Sequence, residues 1–162
     1  MAMGEVVLLP QAHSPVGTNP ALPGMRNYHP LLSFAAGATD QEAQWTFYLP
    51  AAYAGGGITV DIIWATVNTT GGGRWQTSFE AMVAQSVASD GYAAANSGAA
   101  TPSGTTLIPV VTSIAHTDGA EIDSLAAGQL GRFKLRRDAD DTTGTDDLAT
   151  AMEVLAVILR ET

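Results

Sequence analysis

The chain has 162 residues, with 16 acidic against 7 basic side chains for a formal net charge of −9, and no cysteine. That length suits one domain with a sizeable core. The acidic balance argues against generalised binding to nucleic acid or to an anionic membrane, and the missing thiols exclude disulfides, thiolate metal sites and a cysteine nucleophile.

Residues 1–36 differ in character from the rest of the chain. Pro10, Pro15, Pro20, Pro23 and Pro30 recur at short intervals, and each removes a backbone donor and fixes φ near −65°, which speaks against a long helix or a central strand. The opening apolar run, Val6 to Leu9, is too short and lacks the basic flank of a secretory signal. No apolar run approaches bilayer length, so a soluble protein, unexported by that route, is expected. Yet the segment carries Val7, Leu8, Leu9, Leu22, Leu31 and Leu32, more large apolar groups than a solvated tail would. Two readings fit. One is an extended arm over residues 1–36 that packs on a neighbouring subunit, with those six side chains as its interface; the other is an intramolecular strand plus loop. The arm reading predicts that deleting 1–36 leaves a folded domain over 37–162.

Six strands are expected beyond that point: Trp45–Leu49, Ile58–Thr66, Arg74–Ala84, Leu107–His116, Gly131–Asp138 and Ala151–Arg160. Alternation at period two puts Trp45, Phe47, Ile62, Trp64, Trp75, Phe79, Phe133 and Leu135 on a buried face. It places Arg74, Gln76, Ser78 and Glu80 mostly on the opposite face. Gly55–Gly57 and Gly71–Gly73 read as turns, the second as a hairpin, and the small-residue stretch 93–105 as a connection. The last run is ambiguous. Met152, Leu155, Val157 and Leu159 suit a helix face, whereas Val154, Val157 and Ile158 favour a strand that closes a sheet. The expected fold is all-β, an antiparallel jelly-roll-like sandwich.

No acid, base and nucleophile set converges in this sequence, so no enzymatic activity and no cofactor are expected. His13, His29 and His116 are far apart and sit in no ligand motif. Gly71–Gly73 is followed by no lysine or helix start that would hold a phosphate. The loop 138–147 is the best ion candidate, because Asp138, Asp140, Asp141, Asp146 and Asp147 supply the oxygen ligands calcium prefers. The same carboxylates are also explained as a solvated loop offset by Arg132, Lys134, Arg136 and Arg137. Arg132, Lys134 and Arg136 share one strand face, a basic stripe that either pairs with the chain's own carboxylates or docks on an acidic partner. Sugar-binding sandwiches use exposed aromatics as platforms, but the tryptophans alternate with core residues and read as buried.

Three segments in order resemble virion-associated β-sandwich proteins of tailed bacteriophages. They are Thr39–Tyr53, with its acidic lead-in and Leu49-Pro50-Ala51-Ala52-Tyr53 corner; Gly57–Ala65 together with Thr70–Trp75; and Ala127–Asp141, a basic strand running into an acidic loop. The corner has a physical rationale as well. Pro50 withdraws the next ladder donor, and Tyr53 can bury its ring while its hydroxyl bonds the turn. The resemblance implies a non-enzymatic structural virion protein. The leading expectation is a capsid decoration or cement protein on the phage head, made in the host cytoplasm. Its partners would be the major capsid protein and copies of itself, as a homo-oligomer and most simply a trimer, with no nucleic acid or membrane partner. The alternative is a receptor- or carbohydrate-binding domain of a tail fibre, with loop 89–105 carrying recognition.

Overall fold

A computed structural model describes residues 3–83 and 87–162. Among these described residues ten strands form: β1 (Val6–Leu8), β2 (Leu22–Arg26), β3 (His29–Phe34), β4 (Gln41–Tyr48), β5 (Ile58–Ala65), β6 (Gly73–Ala81), β7 (Asn96–Ala100), β8 (Val110–His116), β9 (Leu130–Arg137) and β10 (Met152–Glu161). The first sheet runs β2-β3-β10-β5-β8, with β1 also on β10, and the second runs β4-β9-β6-β7. All their pairings are antiparallel. With β3-β10-β5-β8 facing β4-β9-β6-β7, the strand order is that of a jelly roll. Each expected strand is present within a few residues of its predicted bounds; Ala84, the expected end of the third, lies outside the described residues.

The core forms where the two inner faces meet. Trp45, Phe47, Ile62, Trp64, Trp75, Phe79, Phe133 and Leu135 are all buried, as alternation requires. Phe34 meets Trp75 edge-on at 5.0 Å between ring centroids, Trp64 meets Trp75 at 6.2 Å, and Phe79 meets Phe133 at 5.3 Å. Such pairs add to what area burial alone contributes. Two indole N–H groups also find acceptors: Trp64 donates to Thr112 Oγ1 at 2.9 Å, and Trp45 to the Leu9 carbonyl at 2.9 Å.

Residues 1–36 are where the structure departs furthest from expectation. Of the two readings, the intramolecular one is observed. β1 and β3 share one edge of β10, β1 over Leu8–Val6 against Val157–Leu159 and β3 over Leu32–Phe34 against Met152–Val154. Leu8, Leu31 and Leu32 are buried within the chain itself, while Val7, Leu9 and Leu22 are exposed. Pro30 does not prevent the pairing, because a strand needs only alternate N–H groups on each edge. Gly71–Gly73 is likewise no hairpin, since it links β5 of the first sheet to β6 of the second. Gly73 lies in a crowded place: a Cβ would lie 2.6 Å from the sulfur of the buried Met152, which would have to move. Stretch 93–105 is more than a connection, because it contains β7.

The ambiguity of the last run has a physical cause. The register of β10 on β5 shifts between Val154 and Ala156, so buried positions fall at Met152, Val154, Val157 and Leu159. The extra residue of a bulge breaks period two and imitates a helical spacing. Among the described residues no helix is long and apolar enough to cross a membrane.

Both the core and the first three strands can be tested by stability. Trp64→Ala should cost about 3–5 kcal/mol in urea denaturation, the usual range for truncating a buried tryptophan. Deleting residues 1–36 should abolish the cooperative unfolding transition, because it removes three strands together with Leu8, Leu32 and Phe34; circular dichroism during thermal melting reads this directly.

Candidate functional site

The acidic loop folds around hydrogen bonds of its own. Asp138 is fully buried. One of its carboxylate oxygens accepts from the Thr142 amide and hydroxyl, at 3.1 and 2.7 Å, and the other from the Thr143 amide at 2.8 Å and the Thr143 hydroxyl. Burial pushes this carboxyl up, but the threonine donors outweigh it and hold it well below the ordinary carboxylate range. Asp40, Asp138 and Asp140 bring one oxygen each within 4.8 Å of one another. Asp40 already accepts from the Ala139 and Asp140 amides, at 2.7 and 3.1 Å, and from Arg136. Asp140 accepts from the Thr142 amide at 3.2 Å.

The other candidates are also engaged. Asp141 accepts from the Asp146 amide at 2.6 Å, and Asp147 from the Gly72 amide at 2.5 Å. Asp146 is not solvated, contrary to the loop reading. It forms a two-pronged ion pair with Arg137, whose Nε and Nη2 each donate at 2.7 Å, and both side chains are buried. Of the five carboxylates, Asp138 and Asp140 therefore lie together beside Asp40, while Asp141, Asp146 and Asp147 serve separate local tasks.

On the outer face of the second sheet, Arg132, Lys134 and Arg136 do project together, as alternation predicts. Arg132 donates to Glu80 at 2.6 Å and to Asp90 at 2.5 Å, while Arg136 pairs with Asp40. Self-pairing thus accounts for both arginines. Gln76, Ser78 and Glu80, expected toward water, are buried, because the segment after β6 folds back over them. The Gly91 amide donates to Glu80 at 2.7 Å, the Ala93 amide donates to the Phe79 carbonyl at 2.9 Å, and the Tyr92 ring packs between Arg132 and Lys134. A pocket of about 220 Å³ remains, lined by Gln76, Ser78, Tyr92, Lys134 and Arg136 among others.

The first sheet presents a different surface. Arg26 pairs with His29 across the β2–β3 hairpin, so its loop is the two residues Asn27 and Tyr28, with φ of +45° and +65°. Positive φ at both positions defines the hairpin turn that twisted strands prefer, usually built with Asn-Gly. Asn27 fits. Tyr28 does not, since a bulky side chain in the left-handed region costs roughly 1–2 kcal/mol, and the residue is 92% exposed. Beside this tip lies a cleft of about 490 Å³, with Leu107, Pro109 and Leu155 as apolar wall and Arg26, Asn27 and His29 as polar rim. Arg26 is held there by Glu153, which accepts from Nε at 2.9 Å and from Nη2 at 2.5 Å. In the sequence Tyr28 reads only as one more apolar group of its segment. The signal for its place is Asn27 between two short apolar runs, a turn residue tolerant of positive φ.

His116 is structural. Its Nδ1–H donates to the Glu121 carbonyl at 3.3 Å, which leaves Nε2 to accept from the Thr77 hydroxyl at 2.8 Å across the sheets. Tyr53 buries its ring as expected, donates to Asp118 at 2.6 Å and accepts from the Gly57 amide at 3.1 Å. Burial and the Asp118 hydrogen bond push its hydroxyl up to about 12.

No protein-family model matches this chain, and no curated protein matches it. Solved structures do. The C-terminal CBM6 of the laminarinase LamC from Zobellia galactanivorans aligns at 10% identity and a TM-score of 0.54, covering 97% of this chain and 99% of that one. The CBM36-1 domain of a multidomain xylanase from the hindgut metagenome of Trinervitermes trinervoides aligns at 11% identity, TM-score 0.53, over 96% of each chain. The xylan-binding module CBM15 aligns at 10% identity, TM-score 0.51, over 98% of each. The likeness is one of fold. These β-sandwich modules share the architecture derived above across nearly the whole of both chains.

Burial pushes the His116 imidazole below its ordinary value of 6.5. The native state therefore takes up that proton less readily than the unfolded chain, and the associated stability is complete above about pH 6.5. It is lost as pH falls below that value toward the folded pKa. Asp138 contributes a second, lower window, with stability present above its ordinary 3.8 and lost on further acidification. Urea midpoints measured from pH 8 to pH 3 should fall in these two stages, and His116→Gln should remove the first.

Proposed function

We propose that this protein is a non-catalytic carbohydrate-binding module, and that the cleft beside Tyr28 is its sugar site. The observation that carries this reading is an exposed aromatic residue, Tyr28, held at a strained backbone position between Asn27 and His29, two residues that line a cleft. Strain of this kind persists where the surrounding structure imposes it, and it clusters at ligand-binding positions. A pyranose ring offers one face of C–H bonds to an aromatic plane and a rim of hydroxyls to hydrogen-bonding groups. Tyr28 supplies the plane, while Asn27, His29 and the Arg26–Glu153 pair supply donors and acceptors around an apolar floor. The architecture supports the same reading, since the three solved structures aligned above are carbohydrate-binding modules.

The reading of a capsid decoration protein draws less support. It comes from the resemblance, and the physical support beside that resemblance was residues 1–36 as a docking arm, whereas these supply strands to the chain's own sheet. The resemblance to phage virion proteins is compatible with carbohydrate binding, for it would make the module a tail-fibre domain and its ligand a glycan of the host surface.

Glycan-array screening with affinity electrophoresis on polysaccharides tests the proposal. Wild-type protein should bind at least one glycan class. Tyr28→Ala should weaken that binding on the order of tenfold, about 1.4 kcal/mol, while Tyr28→Gly should do the same and raise the melting temperature by relieving the backbone. Failure to bind any glycan, or full affinity in both variants, would overturn it.

A further inference from the structure

Among the described residues three buried side-chain polar atoms have no hydrogen-bond partner: Trp75 Nε1, Tyr92 Oη and Arg136 Nε. Two of the three belong to residues lining one feature, the 220 Å³ pocket on the outer face of the second sheet. Buried polar groups are overwhelmingly paired, so two orphans in one small pocket call for an explanation.

Lys134 adds to the account. Its ammonium lies 4.4 Å from the centre of the Tyr92 ring. The carboxylate nearest to it, Glu42, is 3.9 Å away, and the same Glu42 oxygen is 3.9 Å from Arg136 Nε. Both separations exceed hydrogen-bonding distance. Arg132 is engaged by Glu80 and Asp90, and Arg136 Nη2 is taken by Asp40. What remains unspent is a set of donors: the ammonium N–H groups, the Arg136 Nε–H and the Tyr92 hydroxyl. A group that satisfies them must be an acceptor, and two of the three carriers are cations. Burial also raises the Tyr92 hydroxyl above its ordinary value, which keeps it a donor at neutral pH. The pocket volume is several times that of a water molecule, enough for a charged substituent and part of the ring that bears it, with Ala93 and Ala95 as small walls.

We propose that this pocket binds an oxyanion borne by a sugar, the carboxylate of a uronic acid or a sulfate ester, so that the module selects an acidic glycan. The proposal rests on the carbohydrate reading for the ligand's carrier, but the pocket lies on the opposite sheet from the Tyr28 cleft. The overall charge of −9 makes the local donors decisive, because they must hold an anion against the field of the whole protein.

Isothermal titration calorimetry with oligouronides, sulfated oligosaccharides and the oligouronides' carboxyl-reduced neutral counterparts tests this. The wild-type protein should prefer one of the two anionic series over the neutral sugars by about tenfold or more, and which series it prefers identifies the oxyanion. Lys134→Gln should erase that preference and its salt dependence while the thermal melt is unchanged. Tyr92→Phe, which removes the orphan hydroxyl and keeps the ring, should reduce the preference severalfold. Equal affinity for charged and neutral sugars, or a preference that survives Lys134→Gln, would overturn the oxyanion pocket and leave the Tyr28 reading standing. If no saccharide binds, the carbohydrate reading fails instead. Sodium sulfate titrated against the Lys134 and Tyr92 side-chain NMR signals then decides the pocket by itself: saturable shifts support an oxyanion site, and their absence removes it.

Discussion

Arg137 is buried at the end of β9, and all five of its guanidinium N–H donors are used. Nε and one Nη2 proton go to Asp146, the second Nη2 proton to the Leu148 carbonyl at 2.7 Å, and the Nη1 protons to the Phe34 and Thr150 carbonyls at 3.1 and 2.8 Å. One side chain of the second sheet thereby fixes the end of β3 and the approach to β10, both in the first sheet. Taking two charges out of water costs several kcal/mol each, and full hydrogen bonding is what makes such a pair tolerable. The arrangement also dictates the acidic loop. Asp146 has to reach inward to meet the arginine, which leaves Asp138 to organise the preceding turn through Thr142 and Thr143.

With that corner and the aromatic core holding the sheets together, the two outer faces are free to differ. On the second sheet the Tyr92 segment closes over Gln76, Ser78 and Glu80 and converts a solvent face into a half-covered polar layer. On the first sheet the β2–β3 hairpin stands out at the edge and carries Tyr28 into solvent. Turn geometry and side chain pull apart at that hairpin. Glycine would suit the turn better than tyrosine, so the aromatic ring is kept at a cost to the fold, and a rigid scaffold supports it.

Much of the architecture is legible along the chain because alternation is a local signal. Trp45, Phe47, Trp64, Trp75, Phe79 and Phe133 announce their inward face, Pro50 announces the end of β4, and Tyr53 its own corner. Arg137 obeys the same parity, since it lies two residues beyond Leu135, yet its charge groups it with solvated residues when the sequence is read alone. β1, β2 and β3 are obscured by prolines that happen to sit where the ladder can spare a donor. β7, Asn96–Ala100, has too few large side chains to show a buried face. Of the two surface features, the basic stripe on β9 can be read from spacing, whereas the cleft beside Tyr28 cannot, because Leu31, Leu107 and Leu155 come together only when β3, β10 and the loop before β8 are side by side.

By itself the sequence determined an all-β sandwich, its principal buried face and the shared side of Arg132, Lys134 and Arg136. These are consequences of residue type and period-two geometry, which act within a strand. Tertiary structure alone decided that β1, β2 and β3 belong to the first sheet, that Gly71–Gly73 crosses between sheets, that Asp146 faces an arginine rather than water, and that Tyr28 stands strained and exposed beside residues that line a cleft. Each of those depends on which strands become neighbours. That choice is set by the summed burial of two whole faces and the pairing of their polar ends, a global balance that no single segment encodes.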